Sequence, residues 1–177
     1  RHLAASYKEA YAINFDGDDS YLDCGTKVSL GVDDGLSIDI QVAFTNLSQT
    51  FYPLLQKGRL GKDDPELTAW MYLRRSGSSY FLYFGYEDAK GRTNVTVGKV
   101  TTAPQTDRIV NIAVTGSEGK DNYTVRLYWQ GEQVASKNFS EGKPVTSLQP
   151  LIVGRCYGTP KGPTSGSISG NTRRFLQ

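Results

Sequence analysis

The sequence predicts an all-β domain, a sandwich or barrel of antiparallel strands. Roughly ten segments alternate apolar and polar residues with a period of two, each bounded by turn residues. No stretch repeats its apolar residues with the helical period. The composition agrees, with 19 Gly and 11 Tyr among 177 residues, a profile that favours strands and turns.

The segments follow in order. Tyr11 to Phe15 reads as a first strand, closed by the turn-forming cluster Asp16-Gly17-Asp18-Asp19. Tyr21 to Cys24 is a short second strand. In the clearest half-buried strand, Leu36, Ile38, Ile40, Val42 and Phe44 alternate with Ser37, Asp39, Gln41 and Ala43. Phe51 to Lys57 is the next. Ala69 to Leu73 and Tyr80 to Phe84 flank Arg74-Arg75-Ser76-Gly77-Ser78-Ser79, a hairpin with a Gly-containing loop. Thr93 to Val97, Ile109 to Thr115, Thr124 to Trp129 with its turn at Gln130-Gly131, Gln133 to Phe139, and Leu151 to Gly154 complete the set. From Tyr157 to Asn171 the chain turns to Gly, Ser, Thr and Pro, a long loop of the kind that is functional or disordered.

The length fits one domain, residues 1–177, with one sizeable core. Twenty basic and 18 acidic side chains are interspersed, for a net charge of +2, which leaves no electrostatic footprint for nucleic acid or acidic membranes. No apolar run reaches the roughly 18 residues of a membrane span. The N-terminal Arg1-His2-Leu3-Ala4-Ala5 lacks an initiating Met and a signal-peptide apolar region, so the chain reads as processed or cut from a longer one. Two cysteines without a Cys-x-x-Cys pair, and a single His, His2, exclude a zinc site and a Ser/His/Asp or Cys/His catalytic set. Asn46, Asn94, Asn122 and Asn138 head glycosylation tripeptides, which matter only in a secreting eukaryote.

The order of motifs resembles the laminin-G-like branch of the concanavalin A-like lectin and glucanase superfamily. Phe15-Asp16-Gly17-Asp18-Asp19-Ser20-Tyr21-Leu22 is similar to the opening element of that family. Leu36 to Phe44, Leu54 to Gly58, Ile109 to Thr115, Val125 to Ala135 and Leu151 to Arg155 are similar to its later strands and hairpin, in the same order. The resemblance runs from about Tyr11 to Arg155. It implies a two-sheet antiparallel jelly-roll sandwich. It also implies one more closing strand, for which the sequence offers only Arg173-Arg174-Phe175-Leu176-Gln177. The expectation is a first strand at an open edge, covered by a partner chain, a downstream segment or residues 1 to 10.

Glucanases of the superfamily work through paired carboxylates on one strand, which retaining hydrolysis needs about 5 to 5.5 Å apart. No such motif is present, and on the corresponding strand only Asp39 stands on the polar face, which predicts no enzyme. Asp16, Asp18 and Asp19 offer hard oxygens to a structural Ca²⁺, which the resemblance favours; the alternative is an Asx-rich turn capped by its own backbone. Sugar binding needs aromatic faces for pyranose rings and planar polar groups for hydroxyls. With Ala69, Met71 and Leu73 inward, Trp70, Tyr72 and Arg74 share the other face. Phe81 and Tyr83, and Arg126 and Tyr128, point outward by the same reasoning. The expected carbohydrate-binding face is Trp70, Tyr72, Arg74, Tyr83, Arg126 and Tyr128. Cys24 and Cys156 end two short strands; they form either a bridge contributing about 4 to 5 kcal/mol or two free thiols.

These readings favour a carbohydrate-binding, lectin-like module of a larger extracellular or surface protein. The alternative is a structural or protein-interaction domain, of an adhesion protein or a phage or virion component, completed by a partner strand. An enzyme ranks third.

Overall fold

The computed structural model describes residues 13, 15, 21–28, 30, 35–60, 65–140, 142–145, 147–156 and 174–175. Among them are twelve strands and no helix: β1 (Leu22–Asp23), β2 (Leu36–Ala43), β3 (Phe51–Leu60), β4 (Pro65–Ser76), β5 (Ser79–Glu87), β6 (Thr93–Lys99), β7 (Ile109–Glu118), β8 (Tyr123–Trp129), β9 (Glu132–Phe139), β10 (Leu151–Val153), β11 (Arg155–Cys156) and β12 (Arg174–Phe175).

Two antiparallel sheets form the sandwich. One has six strands in the order β1-β10-β3-β4-β5-β6 and the other four, β2-β7-β8-β9; β11 pairs with β12 apart from both. The alternation read in the sequence explains why the sheets face each other. Along β8, Tyr123, Val125, Leu127 and Trp129 are buried, while Thr124, Arg126 and Tyr128 between them are not. Met71, Leu73, Leu82 and Phe84 do the same from the larger sheet and join them in one core cluster. Each such side chain contributes about 1.5 to 3 kcal/mol by leaving water. Trp129 sits at the centre, fully buried, with its indole N–H unpartnered.

The turns follow their residues. Gln130 and Gly131, both at positive φ (52° and 81°), make the two-residue turn that joins β8 to β9 with the twist such hairpins need. At the far edge β6 meets β9, where the Lys137 ammonium donates to the Val95 carbonyl at 3.0 Å. Fully buried Lys57 on β3 donates to the Gln149 carbonyl at 2.7 Å, and burial holds its pKa below the ordinary lysine value.

Of the expected first strand, Tyr11, Ala12 and Asn14 lie outside the described residues. Ile13 and Phe15, the described members of the Tyr11 to Phe15 segment, lie outside any strand, and Phe15 packs instead against the core. The short strand that follows it, β1, ends the six-stranded sheet beside β10, with Leu22 opposite Val153. Phe175 does enter a strand, paired with Arg155. The expected loop from Tyr157 to Asn171 lies outside the described residues.

Candidate functional site

β3, β4, β5 and β6 lie side by side, so their registers write out the outer face of the larger sheet in three rows. The first row runs Phe51, Arg74, Phe81, Lys99; the second Pro53, Tyr72, Tyr83, Val97; the third Gln56, Trp70, Gly85, Val95. Paired residues project to the same side, and this side is opposite the core because Ala69, Met71 and Leu73 take the other. Trp70, Tyr72 and Val95 form a second hydrophobic cluster there, separate from the core, with Phe51, Tyr83 and Val97 packed against it.

Four of the six residues expected to bind sugar, Trp70, Tyr72, Arg74 and Tyr83, are therefore neighbours. Their exposure corrects the expectation. Trp70 and Tyr72 are only 3% and 5% exposed, so neither offers a free ring face. Trp70 lies flat on β5, where the opposite residue is Gly85 and even a methyl group would strike the indole. Tyr72 is stacked on Tyr83, with ring centroids 4.6 Å apart and planes 11° apart, and Phe51 leans on it at 5.8 Å. Trp70 and Tyr72 are the floor of the patch, and the half-buried Phe51, Arg74, Phe81 and Tyr83 are its accessible part.

Arg126 and Tyr128 are not part of it. They stand on β8, in the four-stranded sheet, and face out from the opposite side of the sandwich. Alternation identifies a strand's outward residues but not the sheet to which the strand belongs, which is why the sequence merged two faces. Their surroundings are polar. The Asn111 amide donates to Asp39 at 2.7 Å, the Thr124 hydroxyl bonds Asn138 at 2.8 Å, and Arg126 donates to the Ser117 hydroxyl at 3.3 Å.

Asp16, Asp18 and Asp19, the expected calcium ligands, lie outside the described residues. Among the described residues no group of three His, Cys, Asp or Glu is placed to hold a metal. Cys24 is a free, exposed thiol whose backbone N–H bonds the Leu151 carbonyl. The register thus sets Cys24 against Leu151 and not against Cys156, whose side chain is outside the description.

Two residues of the patch escaped the sequence reading. Phe51 was obscured because β3 shifts register between Pro53 and Leu55, which breaks the alternation that would have given its side. Lys99 lies past the end of the expected strand Thr93 to Val97. Asp88, only 2% exposed, also went unnoticed. It closes the β5–β6 turn by accepting the N–H groups of Lys90 and Arg92 at 2.9 and 3.0 Å, the Arg92 Nε at 2.8 Å and the Asn94 amide at 3.2 Å. Burial pushes its pKa up, but the Arg92 N–H, the Asn94 amide, the Lys90 N–H and the Arg92 guanidinium together hold it below the usual carboxylate value. Beyond the turn, burial pushes the buried Tyr123 phenol up to about 12. A polar hollow of about 470 Å³ opens at that end, lined by Glu118, Asp121, Asn122, Ser140 and Lys143 among others. Its charges are partly met from within, by the Glu118–Lys143 ion pair at 3.4 Å.

No relative was found among curated protein sequences. Among solved structures, the chain is similar to the CBM40 of the Ruminococcus gnavus IT-sialidase bound to α2,3-sialyllactose, with 15% identity, a TM-score of 0.54, and 80% of this chain and 78% of that one covered. It is also similar to the heptameric SAP-like pentraxin of Limulus polyphemus, with 9% identity, a TM-score of 0.58, and 88% and 64% covered. The endo-β-1,4-glucuronan lyase of the fungus Trichoderma reesei matches at 13% identity with a TM-score of 0.52, covering 76% and 60%. At such identities these likenesses speak to the fold. The family model is more specific: it is the laminin-G type of the concanavalin A-like lectin/glucanases superfamily, and it matches residues 16–170. With that match across most of the chain, over the two-sheet sandwich already described, the chain belongs to the concanavalin A-like lectin/glucanases superfamily.

Proposed function

We propose that the chain is a non-catalytic, lectin-like carbohydrate-binding module of a larger extracellular or surface protein, and that it binds through the outer face of the six-stranded sheet. The observation that carries this reading is the second hydrophobic cluster on that face. Folding requires an apolar layer between the sheets, not one outside them, and a contiguous outward aromatic patch marks a binding surface. Phe51, Phe81 and Tyr83 supply ring area for a pyranose, and Tyr72 beneath them fixes its angle.

Four of the described carboxylates are held by local partners. Asp88 is spent on its turn, Asp39 on Asn111, Asp23 on the Gly25 N–H and Glu118 on Lys143. Sialyllactose, the sugar bound to one structural neighbour, is in keeping with the reading. The test is a glycan array probed with the wild-type protein and with Tyr83→Ala. The expected result is binding to a restricted set of glycans, weakened at least tenfold in the variant without a matching loss of melting temperature. Absence of binding to every glycan overturns the reading.

A second reading, a protein-interaction domain completed by a partner strand, draws on β2. β2 ends the four-stranded sheet, and its core-facing Ile38, Ile40 and Val42 are only half-buried. Strand addition at such an edge would give a stable complex visible by light scattering after size-exclusion chromatography.

A further inference from the structure

The first row of the patch carries a charge that no carboxylate of the three rows meets. Arg74 stands between Phe51 and Phe81, with Lys99 beyond Phe81. Its guanidinium lies over the Phe51 ring at 5.5 Å from the centroid. Its Nε is fully buried and has no hydrogen-bond partner.

Several other described cations are committed. Arg75 donates to the Leu47 and Gly77 carbonyls, Arg92 pairs with Asp88, Lys143 with Glu118, and Lys57 and Lys137 each bond a carbonyl. The three rows contain two cations and no carboxylate. The nearest acid on β5 is Glu87, six residues from Phe81 and so about 20 Å along the strand.

A guanidinium stays protonated at any physiological pH, and burying part of it without a counter-ion is costly. Such a group persists where it serves an anion that arrives from outside. Arg74 is only half-buried and its Nη nitrogens are not among the buried unpartnered atoms, so its terminal end can grip a carboxylate with both oxygens. The aromatic neighbours restrict the ligand further. Phe51 and Phe81 are direct cross-strand partners of Arg74, within about 5.5 Å at Cβ. A carboxylate attached directly to a stacked sugar ring falls within reach of Arg74.

We propose that Arg74 is the anion-recognising residue of this face and that its ligand is a carboxylate-bearing sugar, a uronic or sialic acid unit, with Lys99 adding long-range attraction. The proposal rests on the carbohydrate-binding reading and narrows it to one ligand class.

The test is calorimetric titration with an oligogalacturonide, with sialyllactose, with the carboxyl-reduced oligogalacturonide, with lactose, and with a sulfated neutral oligosaccharide. We expect at least one carboxylate-bearing sugar to bind at least tenfold tighter than its neutral counterpart. Arg74→Gln should abolish that preference while holding or raising the melting temperature, since it removes a half-buried unpaired charge. Lys99→Gln should act more weakly, and its effect should vanish as salt rises, as for an exposed charge. Equal binding of the acidic and carboxyl-reduced sugars overturns the proposal and leaves a neutral-glycan lectin standing. Preference for the sulfated sugar over both carboxylate-bearing ones overturns the carboxylate assignment. Absence of binding to any of these sugars overturns this proposal, and the glycan array then decides the lectin reading separately. The wild-type comparisons need no variant, so they decide the matter even if Arg74→Gln does not fold.

Discussion

The two outer faces of the sandwich are built from strands with the same alternation, yet they differ in kind. On the four-stranded sheet the outward residues of β2, β7 and β8 include Asp39 bonded to Asn111, Thr124 bonded to Asn138 and Arg126 bonded to Ser117, and the single aromatic ring among them is Tyr128. On the six-stranded sheet the outward residues are Phe51, Trp70, Tyr72, Phe81, Tyr83, Val95 and Val97, with Arg74 and Lys99 as the charges. The first face meets its own polar needs. The second excludes water from Trp70 and Tyr72 and leaves the Arg74 Nε without a hydrogen-bond partner. The difference teaches that strands of equal alternation can build outer faces of unlike apolar content and charge pairing, and the excess of apolar surface on the second is what supports the proposed ligand face.

The largest effect should separate the two faces by stability. Trp70→Ala removes a buried indole from a packed cluster and should cost about 3 kcal/mol, toward the low end for such truncations because the site lies outside the main core. Tyr128→Ala removes a half-buried ring among polar neighbours and should cost no more than about 1 kcal/mol. Urea denaturation of both variants measures the two values. Equal losses would mean that both faces are packed alike and would break the comparison.

That contrast also marks what could be read from the sequence. The alternation of Leu36 to Ala43 and the Gln130-Gly131 turn are local patterns, and both stand in the structure as read. The outward direction of Trp70, Tyr72, Arg74 and Tyr83 is local too and was legible. Whether β8 shares a sheet with β4 is a long-range fact that no period-two pattern encodes, so Arg126 and Tyr128 were placed with the wrong neighbours. The burial of Trp70 depends on Gly85, fifteen positions away and across a ladder, and only the register reveals it. Asp88 is different. Its partners Lys90, Arg92 and Asn94 all lie within six residues, so the turn was in principle readable from Asp-Ala-Lys-Gly-Arg-Thr-Asn.

The next effect tests whether a carboxylate's environment sets its worth. Asp88→Asn removes the charge from a buried acceptor of four donors and should cost about 2 kcal/mol at neutral pH. Its pKa is lower in the folded than in the unfolded chain. The stabilisation is therefore complete above the ordinary aspartate value near 4, and it is lost as pH falls through the lower folded value. Thermal melts of wild type and variant should differ at pH 7 and converge on acidification toward pH 2. A gap that persists unchanged in acid would assign the loss to packing instead.

The smallest effect belongs to the other carboxylate. Asp39 accepts the Asn111 amide at 2.7 Å, a shorter contact than any of the four at Asp88, yet it does so on an exposed residue of the edge strand β2. When Asp39 is replaced by Ala, water reaches the Asn111 amide and replaces the lost acceptor, so the exchange is nearly even. Asp39→Ala should change stability by no more than about 0.5 kcal/mol. A double-mutant cycle with Asn111→Ala should return a coupling of similar size, independent of pH above 5. Length of the bond does not decide the matter; access of water does. A coupling above about 1 kcal/mol would show that the outer face of the smaller sheet is screened from solvent in the folded protein, and would place Arg126 and Tyr128 beside a second protected surface.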